Sequence, residues 1–381
     1  MRVLNVTLDF MDAAGGTTLA VADFADALNA DVLSFTAESR LTEARHGTGI
    51  THIPVPESLS GRWYGRPRPA DRKAALKLAR SYDVLVCHQL YRYHAGFCLQ
   101  TGKPYFIVPH GSLDPYVFTY RRLLKEIWLN AIGNRFFHHA EAVVFATGRE
   151  QEKAFRGIGT DHAKVINWAV EEATGRGPCR AETRASLGIP DDARVLLFIG
   201  RLHSMKRPQE TIEAFARAAA KNLHLVMAGP EDQFTVKELR AVAERCGVKN
   251  IRILGPVYGD AKWGLFRAAD GYISLSIREN FGYTMAEAMS HGLPMILSSG
   301  NDLGYEVKEQ NCSWMLSGET QEEAVIAIRQ FAEESQNRLL EMGGRGKCWI
   351  MKHATFPRFR QSLQDLILTP RERASDAKAS W

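Results

Sequence analysis

The fold class of this chain is decided by the stretch YISLSIRENFGYTMAEAMSHGLPMILSS, residues 272–299. The apolar run 272–276 is typical of a buried strand, and the run 295–299 is typical of a second one. Between them, YTMAEAMSH predicts a helix that ends at Gly292 and Pro294, because these residue types commonly follow a last helical turn. A strand, a helix and a second strand in this order predict a parallel sheet covered by helices.

The same alternation runs through the rest of the chain in two series. The first opens with a strand over Val3–Leu8, followed by a helix with apolar residues at i, i+3, i+4 and i+7 from Val21. The second opens with the strand VLLFIG (195–200) and a helix that begins at Pro208. Further elements are predicted as strands at Val84–Cys87, Tyr105–Val108, Ala142–Ala146, 223–229 and 250–255, as a helix near Trp263–Ala269, and as a helix with Leu239, Val242, Ala243 and Cys246 on one face.

The polar stretch 171–190, rich in glycine, proline and charge, separates the two series. We predict a hinge there between two Rossmann-like, doubly wound α/β domains that face each other across a cleft. The first would cover 1–170 and the second 171–354, with a C-terminal helix from about residue 355 packing back on the first. Ligands of open α/β sheets bind beyond the carboxyl ends of the strands, so we expect the ligand in that cleft.

Composition excludes several classes of protein. The chain has 381 residues with 45% apolar and 24% charged residues, too apolar for a disordered protein. Its six cysteines are scattered without a C-x-x-C pair, which indicates neither a zinc site nor a disulfide framework. No window approaches the roughly 18 apolar residues of a spanning helix, and the start MRVLNVTLDF lacks the features of a secretory signal. We therefore expect a cytoplasmic protein.

Two glutamates flank a turn in the stretch that decides the fold. Glu279 follows a strand, Glu287 lies eight residues later, and Gly282 between them lets the backbone approach a ligand. The amides of Gly282, Tyr283 and Thr284 would point out of a helix N-terminus, which favours a diphosphate. Glu287 would accept hydrogen bonds from vicinal hydroxyls such as those of a ribose. The alternative is a capped amphipathic helix with two exposed glutamates.

A second informative segment is GRLHSMK, residues 200–206, which follows the first strand of the second series. Arg201 and Lys206 lie five residues apart in a loop at the same expected edge of the sheet. Two fixed cations suit a departing nucleoside diphosphate, whereas the alternative is a surface loop with two solvated charges. No Walker A, G-x-G-x-x-G, G-x-S-x-G or H-E-x-x-H sequence is found, so the sequence gives no support to ATP hydrolysis, NAD-dependent oxidation, serine hydrolysis or zinc proteolysis.

Together these segments resemble a known family. G-R-L-x-x-x-K, followed about 75 residues later by S-x-x-E-x-F-G-x-x-x-x-E-A-M-x-x-G-x-P, is similar to the motifs of the retaining GT-B glycosyltransferases of the group 1, or family 4, type. Gly15-Gly16, PHGSLDPY (109–116) and Ala269-Asp270 also resemble segments of that family. The resemblance extends from residue 2 to about residue 350. Asn280, Arg207 and the turn 167–171 depart from the residues that are usual there.

The resemblance implies roles for the second-domain residues. Arg201 and Lys206 would bind and neutralise the donor diphosphate, and Glu287 would hold the ribose hydroxyls. Glu279 would contact hydroxyls of the donor sugar, and the amides of Gly282–Thr284 would help to hold it in position.

In the first domain, the resemblance places Gly15 and Gly16 at the donor phosphates and His110 beside the transferred sugar. It implies a front-face transfer with retention, in which the leaving phosphate oxygen takes the acceptor's proton. Such a transfer needs no enzyme nucleophile and usually no metal. Apart from the nucleotide-sugar substrate, no cofactor is expected.

The implied function is a hexosyl transfer from a nucleotide-diphosphate sugar to a saccharide or lipid-linked saccharide, in bacterial cell-surface polysaccharide assembly. The alternative is a catalytically silent protein of the same fold that binds a nucleotide sugar or acts as a scaffold. Such a protein would have lost one of its phosphate or sugar ligands, and none of the matched positions is missing. A phosphorylase of the glycogen type would be far longer than this chain.

Positive charge is concentrated in residues 60–125, where twelve basic residues stand against three acidic ones. Such a surface attracts the phosphates of nucleic acid, anionic lipid or a polyprenyl-diphosphate acceptor; the alternative is a solvated basic face. Its aromatic residues Trp63, Tyr64, Tyr91 and Tyr93 could stack on bases, but no nucleic-acid-binding motif accompanies them. We therefore expect no nucleic acid but an anionic acceptor or the inner membrane surface, with the protein bound peripherally. Charge reversal at Arg62, Arg66 and Arg72 is then expected to release the protein from membranes.

Overall fold

The computed structural model describes residues 1–10, 15–35, 52–55, 66–154, 158–159, 162–173, 177–318 and 320–367. The loop predicted after the first strand, Met11–Gly16, lies outside these residues over 11–14, and so do Arg62, Trp63 and Tyr64 of the basic region. The chain passes from a first compact unit to a second between Ala169 and Val170, and it returns to the first at Phe356. None of the described helices is both long and apolar enough to cross a membrane.

The first unit contains a parallel sheet of seven strands in the order β3-β2-β1-β4-β5-β6-β7. The strands are β1 Val3–Thr7, β2 Asp31–Ser34, β3 His52–Pro54, β4 Val84–His88, β5 Tyr105–Val108, β6 Ala142–Phe145 and β7 Ala163–Val165. The helices are α1 Gly16–Leu28, α2 Pro69–Ala79, α3 Tyr93–Thr101, α4 Arg122–Trp128, α5 Asn134–His138, α6 Gly148–Glu152 and the C-terminal α15 Phe356–Ile367.

Helix α15 packs against α1 of the first unit. The rings of Phe359 and Phe24 meet edge to face at 5.1 Å, and both side chains are buried. The amide of Gln364 donates a hydrogen bond to the carbonyl of Ala27 at 3.2 Å. The last described helix therefore completes the core of the unit in which the chain begins.

The second unit contains a parallel sheet of six strands in the order β10-β9-β8-β11-β12-β13. The strands are β8 Arg194–Ile199, β9 Leu223–Ala228, β10 Ile251–Ile253, β11 Gly271–Ser274, β12 Met295–Leu297 and β13 Ser313–Met315. The helices are α7 Arg180–Ser186, α8 Pro208–Ala218, α9 Val236–Arg245, α10 Gly259–Ala268, α11 Tyr283–Ser290, α12 Asp302–Glu306, α13 Gln321–Glu333 and α14 Gln336–His353. The prediction of two parallel, helix-covered sheets is confirmed.

The stretch 171–190 that was predicted as a hinge belongs to the second unit and contains α7, so the prediction of a hinge over all of it was wrong. Glu182 in the first turn of α7 accepts a hydrogen bond from the amide of Cys179, the residue before the helix, at 2.7 Å. The guanidinium of Arg184 is buried and pairs with Asp270 at 2.7 Å. Since Asp270 directly precedes β11, this ion pair fixes α7 to the sheet of the second unit.

The prediction for Cys246 was also wrong. Leu239, Val242 and Ala243 are buried on one face of α9, but Cys246 is exposed. Helix α9 ends at Arg245, so Cys246 lies beyond its last turn and is not part of the buried face.

Candidate active site

The loops that follow β8 and β11 hold Lys206 and Glu279 against each other. The amide of Ile277 donates to the carbonyl of Met205 at 2.9 Å, which joins the two loops through their backbones. The ammonium of Lys206 forms an ion pair with the carboxylate of Glu279, and each side chain keeps 23% of its surface exposed. The structure therefore brings together two of the predicted site residues at the carboxyl edge of the sheet, and the pair borders solvent.

The backbone of Glu279 is held by the loop after β12. Its amide donates to the carbonyl of Gly300 and its carbonyl accepts from the amide of Asp302, both at 2.8 Å. A side chain at Gly300 would overlap the carbonyl oxygens of Ser276 and Ile277, so the close approach of these loops requires a glycine.

A buried polar network connects the loop after β11 with the loop after β12. The side chain of Asn301 donates to the hydroxyl of Ser298 and accepts from the hydroxyl of Ser274, each at 2.9 Å. Ser298 in turn donates to the carbonyl of Ser276 at 2.6 Å. Because all four residues are buried and hydrogen-bonded, the ends of β11 and β12 are rigidly connected beneath Glu279. The sequence motifs gave no indication of this network.

Two arginines influence the charge at the Lys206–Glu279 pair. Burial first, and then the nearby guanidinium groups of Arg201 and Arg278, lower the pKa of Lys206 to about 7. The neighbouring carboxylate favours the ammonium form, but the opposing effects prevail. Arg201 is half exposed and lies 3.4 Å from Asp232 at the surface. The site can therefore present a cluster of positive charge to an anionic ligand.

The N-terminus of α11 lies beside this cluster. Gly282 precedes the helix in the left-handed region, with φ of 70°, and a Cβ there would come within 2.9 Å of the Glu279 side chain. Among the described residues, no side chain caps this helix, and its first turn contains no acidic residue. The hydroxyl of Thr284 hydrogen-bonds that of Tyr272 on β11 at 2.8 Å, and Tyr283 is buried. The first turn is thereby fixed to the sheet with its amides directed out of the helix end.

Glu287 lies one turn further along α11 and is buried, with 1% of its surface exposed. The alternative of two exposed glutamates was therefore wrong for this residue. One carboxylate oxygen of Glu287 pairs with the ammonium of Lys262 on α10 at 2.6 Å. That ammonium also lies over the ring of Trp263, 4.7 Å from its centroid. Lys262 was missed, because no motif spacing connects it with Glu287.

In the first unit, His110 is part of a hydrogen-bonded chain across three neighbouring strands. Asn5 on β1 and His88 on β4 are buried, and Oδ1 of Asn5 lies 2.9 Å from Nε2 of His88. Nδ1 of His88 lies 2.9 Å from Nε2 of His110, which follows β5. With Oδ1 of Asn5 as an acceptor, His88 donates through Nε2 and accepts at Nδ1. His110 then carries its proton on Nε2, and its Nδ1 is a hydrogen-bond acceptor.

Burial keeps the two hydrogen-bonded histidines, His88 and His110, neutral. It lowers the pKa of His110 to about 3. The pKa of His88 is lowered well below its usual value by burial first and by the neighbouring His110 and His94 second. A neutral His110 acts as a hydrogen-bond partner rather than as a positive charge at neutral pH.

The loop that carries His110 is fixed by Glu150 on α6. Both His110 and Gly111 have left-handed backbones, with φ of 48° and 73°. The buried carboxylate of Glu150 accepts from the amide of Gly111 at 2.6 Å and from that of Ala146 at 2.8 Å. The strained loop is therefore held in place by the end of β6.

Gly15 and Gly16 form the start of α1. Gly15 has φ of 71° and precedes the helix, and a Cβ there would meet no atom within 4 Å among the described residues. Phe24 of the same helix packs edge to face on His88 at 5.0 Å. Helix α1 therefore contacts the chain of residues that ends at His110. Within the described ranges, no three His, Cys, Asp or Glu side chains come together as a metal-binding group.

Family comparisons assign the chain. Residues 180–347 match the family Glycosyl transferases group 1, and residues 14–172 match Glycosyltransferase Family 4, so the two matches together cover most of the sequence. The chain is a glycosyltransferase of the group 1, or family 4, type. The resemblance drawn from the motifs at Arg201–Lys206 and Glu279–Glu287 is thereby confirmed.

Individual members of the glycosyltransferase family show the extent of the similarity. D-inositol 3-phosphate glycosyltransferase 2 of Catenulispora acidiphila is 26% identical over 216 residues, which are 54% of this chain. The match spans about half of that relative's length. The GDP-mannose:cellobiosyl-diphosphopolyprenol alpha-mannosyltransferase of Xanthomonas oryzae is 28% identical over 312 residues, 78% of each chain.

The fold also agrees with that of a solved structure. The crystal structure of Anabaena Alr3699/HepE in complex with UDP and glucose superimposes with a TM-score of 0.78. The match covers 97% of this chain and 100% of that one, at 17% identity. The predicted GT-B fold of two Rossmann-like units is confirmed.

Proposed function

We propose that this protein is a retaining glycosyltransferase that moves a hexosyl group from a nucleotide-diphosphate sugar to an acceptor hydroxyl. The observation that carries the proposal is the pairing of Lys206 with Glu279 beside the uncapped start of α11, with Arg201 and Arg278 nearby. Cations and helix amides suit the diphosphate, and the carboxylate next to them suits sugar hydroxyls.

In the proposed reaction, the bond between the sugar C1 and the diphosphate oxygen breaks while the acceptor oxygen bonds to C1 on the same face. The acceptor's proton passes to the departing diphosphate oxygen. Arg201 and Lys206 stabilise the charge that develops on that diphosphate, so the reaction is proposed to need no metal. His110 contributes a neutral hydrogen-bond acceptor at Nδ1 for a sugar hydroxyl, and Glu287 holds the ribose.

The acceptor is proposed to be a saccharide, carried on a polyprenyl diphosphate, in the assembly of a bacterial surface polysaccharide. The name of the Xanthomonas relative, which acts on a diphosphopolyprenol-linked sugar and matches 78% of this chain, supports this choice. The basic character of residues 60–125 supports an anionic acceptor and a peripheral position on the cytoplasmic membrane face.

A donor panel tests the proposal. UDP- and GDP-linked sugars are added to the purified protein with and without EDTA, and thermal shift and donor hydrolysis are recorded. One donor should be bound and slowly hydrolysed, with no loss of activity in EDTA. The absence of any donor turnover, with binding retained, would instead assign the chain to catalytically silent members of the fold.

Two variants test the site within that assay. We expect Glu279→Ala and Lys206→Ala each to lower turnover by roughly 10²-fold or more, because each removes a contact to the donor or its developing charge. Matched controls are Glu244→Ala and Lys237→Ala on the exposed face of α9, which should keep full turnover. Near-complete turnover in both site variants would refute the site assignment.

A further inference from the structure

The large hydrophobic side chains that the described residues expose are concentrated in one segment. Of ten such side chains, five lie within the twelve residues from Tyr116 to Ile127, and they are 43% to 69% exposed. Scattered single apolar residues are normal on a protein surface, but a contiguous set marks a contact surface. We call this set the α4 patch; its members are Tyr116, Tyr120, Leu123, Leu124 and Ile127.

The α4 patch lies on a fixed helix. Leu123, Leu124 and Ile127 follow each other at positions that share one face of α4. The next residue, Trp128, is buried, and its ring packs on Tyr91 at 5.2 Å and on Phe136 at 6.1 Å. Because its far side is anchored in the core, α4 presents its exposed leucines in a defined orientation.

The preceding turn is tied to the same helix. The ammonium of Lys125 on α4 donates to the carbonyls of Val117 and Tyr120, so the 3₁₀ helix Pro115–Thr119 and α4 form one unit. The exposure of Tyr116 and Tyr120 is therefore a property of a folded surface.

Basic side chains surround the α4 patch. Residues 116–135 contain four basic residues and only one acidic residue, Glu126. The guanidinium of Arg121 lies over the ring of Tyr120 at 5.1 Å, and Glu126 is paired with Arg122 at 2.7 Å. Exposed leucine, isoleucine and tyrosine side chains bordered by arginine are the composition of helices that lie in the interface of an anionic bilayer.

The basic residues in and beside α2 are less suited to binding an anionic membrane than the sequence indicated. Arg68 is paired with Asp71 at 2.7 Å. Arg72 donates to the side chain of Gln100, and Arg80 donates to carbonyls at the end of α3. Arg72 and Arg80, which the sequence assigned to a basic surface, thus attach α2 to α3.

We propose that the α4 patch inserts into the headgroup region of an anionic bilayer and anchors the first unit there. Apolar side chains supply the insertion, and Arg121 supplies attraction to anionic lipid. The use of this orientation rests on the proposed function. Asp114 lies in the segment that carries His110; it pairs with Lys153 at 2.8 Å and caps the 3₁₀ helix of the α4 patch. Asp114 therefore connects the His110 loop to the α4 patch. A lipid-linked acceptor would then meet the His110 loop at the membrane surface.

Vesicle flotation of the full chain tests the proposal. Wild type should float with vesicles of equal parts phosphatidylglycerol and phosphatidylcholine, and far less with phosphatidylcholine alone. The double variant Leu123→Glu/Leu124→Glu should lose about tenfold or more of its vesicle binding, because two apolar contacts are replaced by anions. The matched control Ile326→Glu/Leu340→Glu changes two exposed apolar residues on α13 and α14, 48% and 61% exposed, and should float like wild type.

The outcomes separate this inference from the proposed function. Failure of wild type to float, or equal binding by both double variants, overturns the inference. A third result would also overturn it: wild type sediments as a dimer and binds no vesicles, and Leu123→Glu/Leu124→Glu sediments as a monomer. The α4 patch would then join two copies of the chain. Donor hydrolysis is measured on the same samples: donor turnover without flotation leaves the proposed function intact, and flotation without any donor binding leaves the inference intact.

Discussion

At the scale of single residues, the chemistry of the candidate site depends on the protonation of Lys206. Burial and the nearby Arg201 and Arg278 bring its pKa to about 7, so the ammonium and the amine are both populated near neutral pH. Only the ammonium attracts a diphosphate. A ligand that binds the ammonium form will therefore compete with deprotonation as the pH rises.

We predict that the affinity for the nucleotide-diphosphate sugar falls as the pH rises above about 7, by up to about tenfold per pH unit. The sign follows from the lowered pKa, because deprotonation removes the binding charge on the alkaline side. The variant Lys206→Arg keeps its charge throughout and should show a flat profile between about pH 6 and 9. Calorimetric titration of the donor identified in the panel measures both; the same slope in wild type and Lys206→Arg would contradict the prediction.

The sequence was informative about site residues that a motif contains and silent about residues that support them. Lys206 and Glu279 were assigned from loop motifs, and the structure pairs them. Lys262 comes from another helix, so the spacing around Glu287 carries no trace of it. Asn5 and His88 offered one signal that was not used: each is a polar residue in a fully buried and mainly apolar strand.

At the scale of elements, the site depends on the close approach of the loops after β11 and β12. Gly300 allows that approach, and its carbonyl accepts the amide hydrogen bond of Glu279. We predict that Gly300→Ala lowers the free energy of unfolding by about 1–3 kcal/mol, because its Cβ forces two backbone carbonyls apart. It should also weaken donor binding, since Glu279 loses its position.

A helical glycine provides the matched control for Gly300→Ala. Gly344 lies on the exposed side of α14, and an added Cβ meets no described atom within 4 Å. Gly344→Ala should raise the free energy of unfolding by up to about 1 kcal/mol through helix propensity and leave donor binding unchanged. Chemical denaturation and donor titration of both variants decide the matter; equal stabilities for the two would refute the role given to Gly300.

Strands with a clear run of apolar residues were predictable, and strands without one were not. Strand β5 was predicted with its observed bounds, because four consecutive apolar residues are buried there. The sequences of β2 (DVLS) and β7 (AKV) contain no such run, and each strand is defined by its parallel pairing with the preceding strand, β1 or β6. Local periodicity contains no information about such pairing. Helix α7 was missed because its buried face depends on the distant Asp270.

At the scale of the whole molecule, buried histidines make the stability of the first unit sensitive to acid. The first unit buries His88 and His94 completely and His110 in large part. Burial lowers the pKa of His94 to about 4 and that of His110 to about 3, below the value of about 6.5 for an unfolded chain. Protonation therefore favours the unfolded first unit as soon as the pH falls below about 6.5.

We predict that the stability of the first unit falls with decreasing pH between about 6.5 and 4. In that window the unfolded chain binds more protons than the folded one, so the free energy of unfolding must rise with pH. His94 alone accounts for about 3 kcal/mol over the window, at about 1.4 kcal/mol per pH unit. Scanning calorimetry at several pH values measures the slope, which His94→Gln should reduce and His138→Gln, at an exposed histidine, should not. A slope unchanged by His94→Gln would mean that acid acts elsewhere, because a buried neutral histidine cannot be removed without removing its share of the proton linkage.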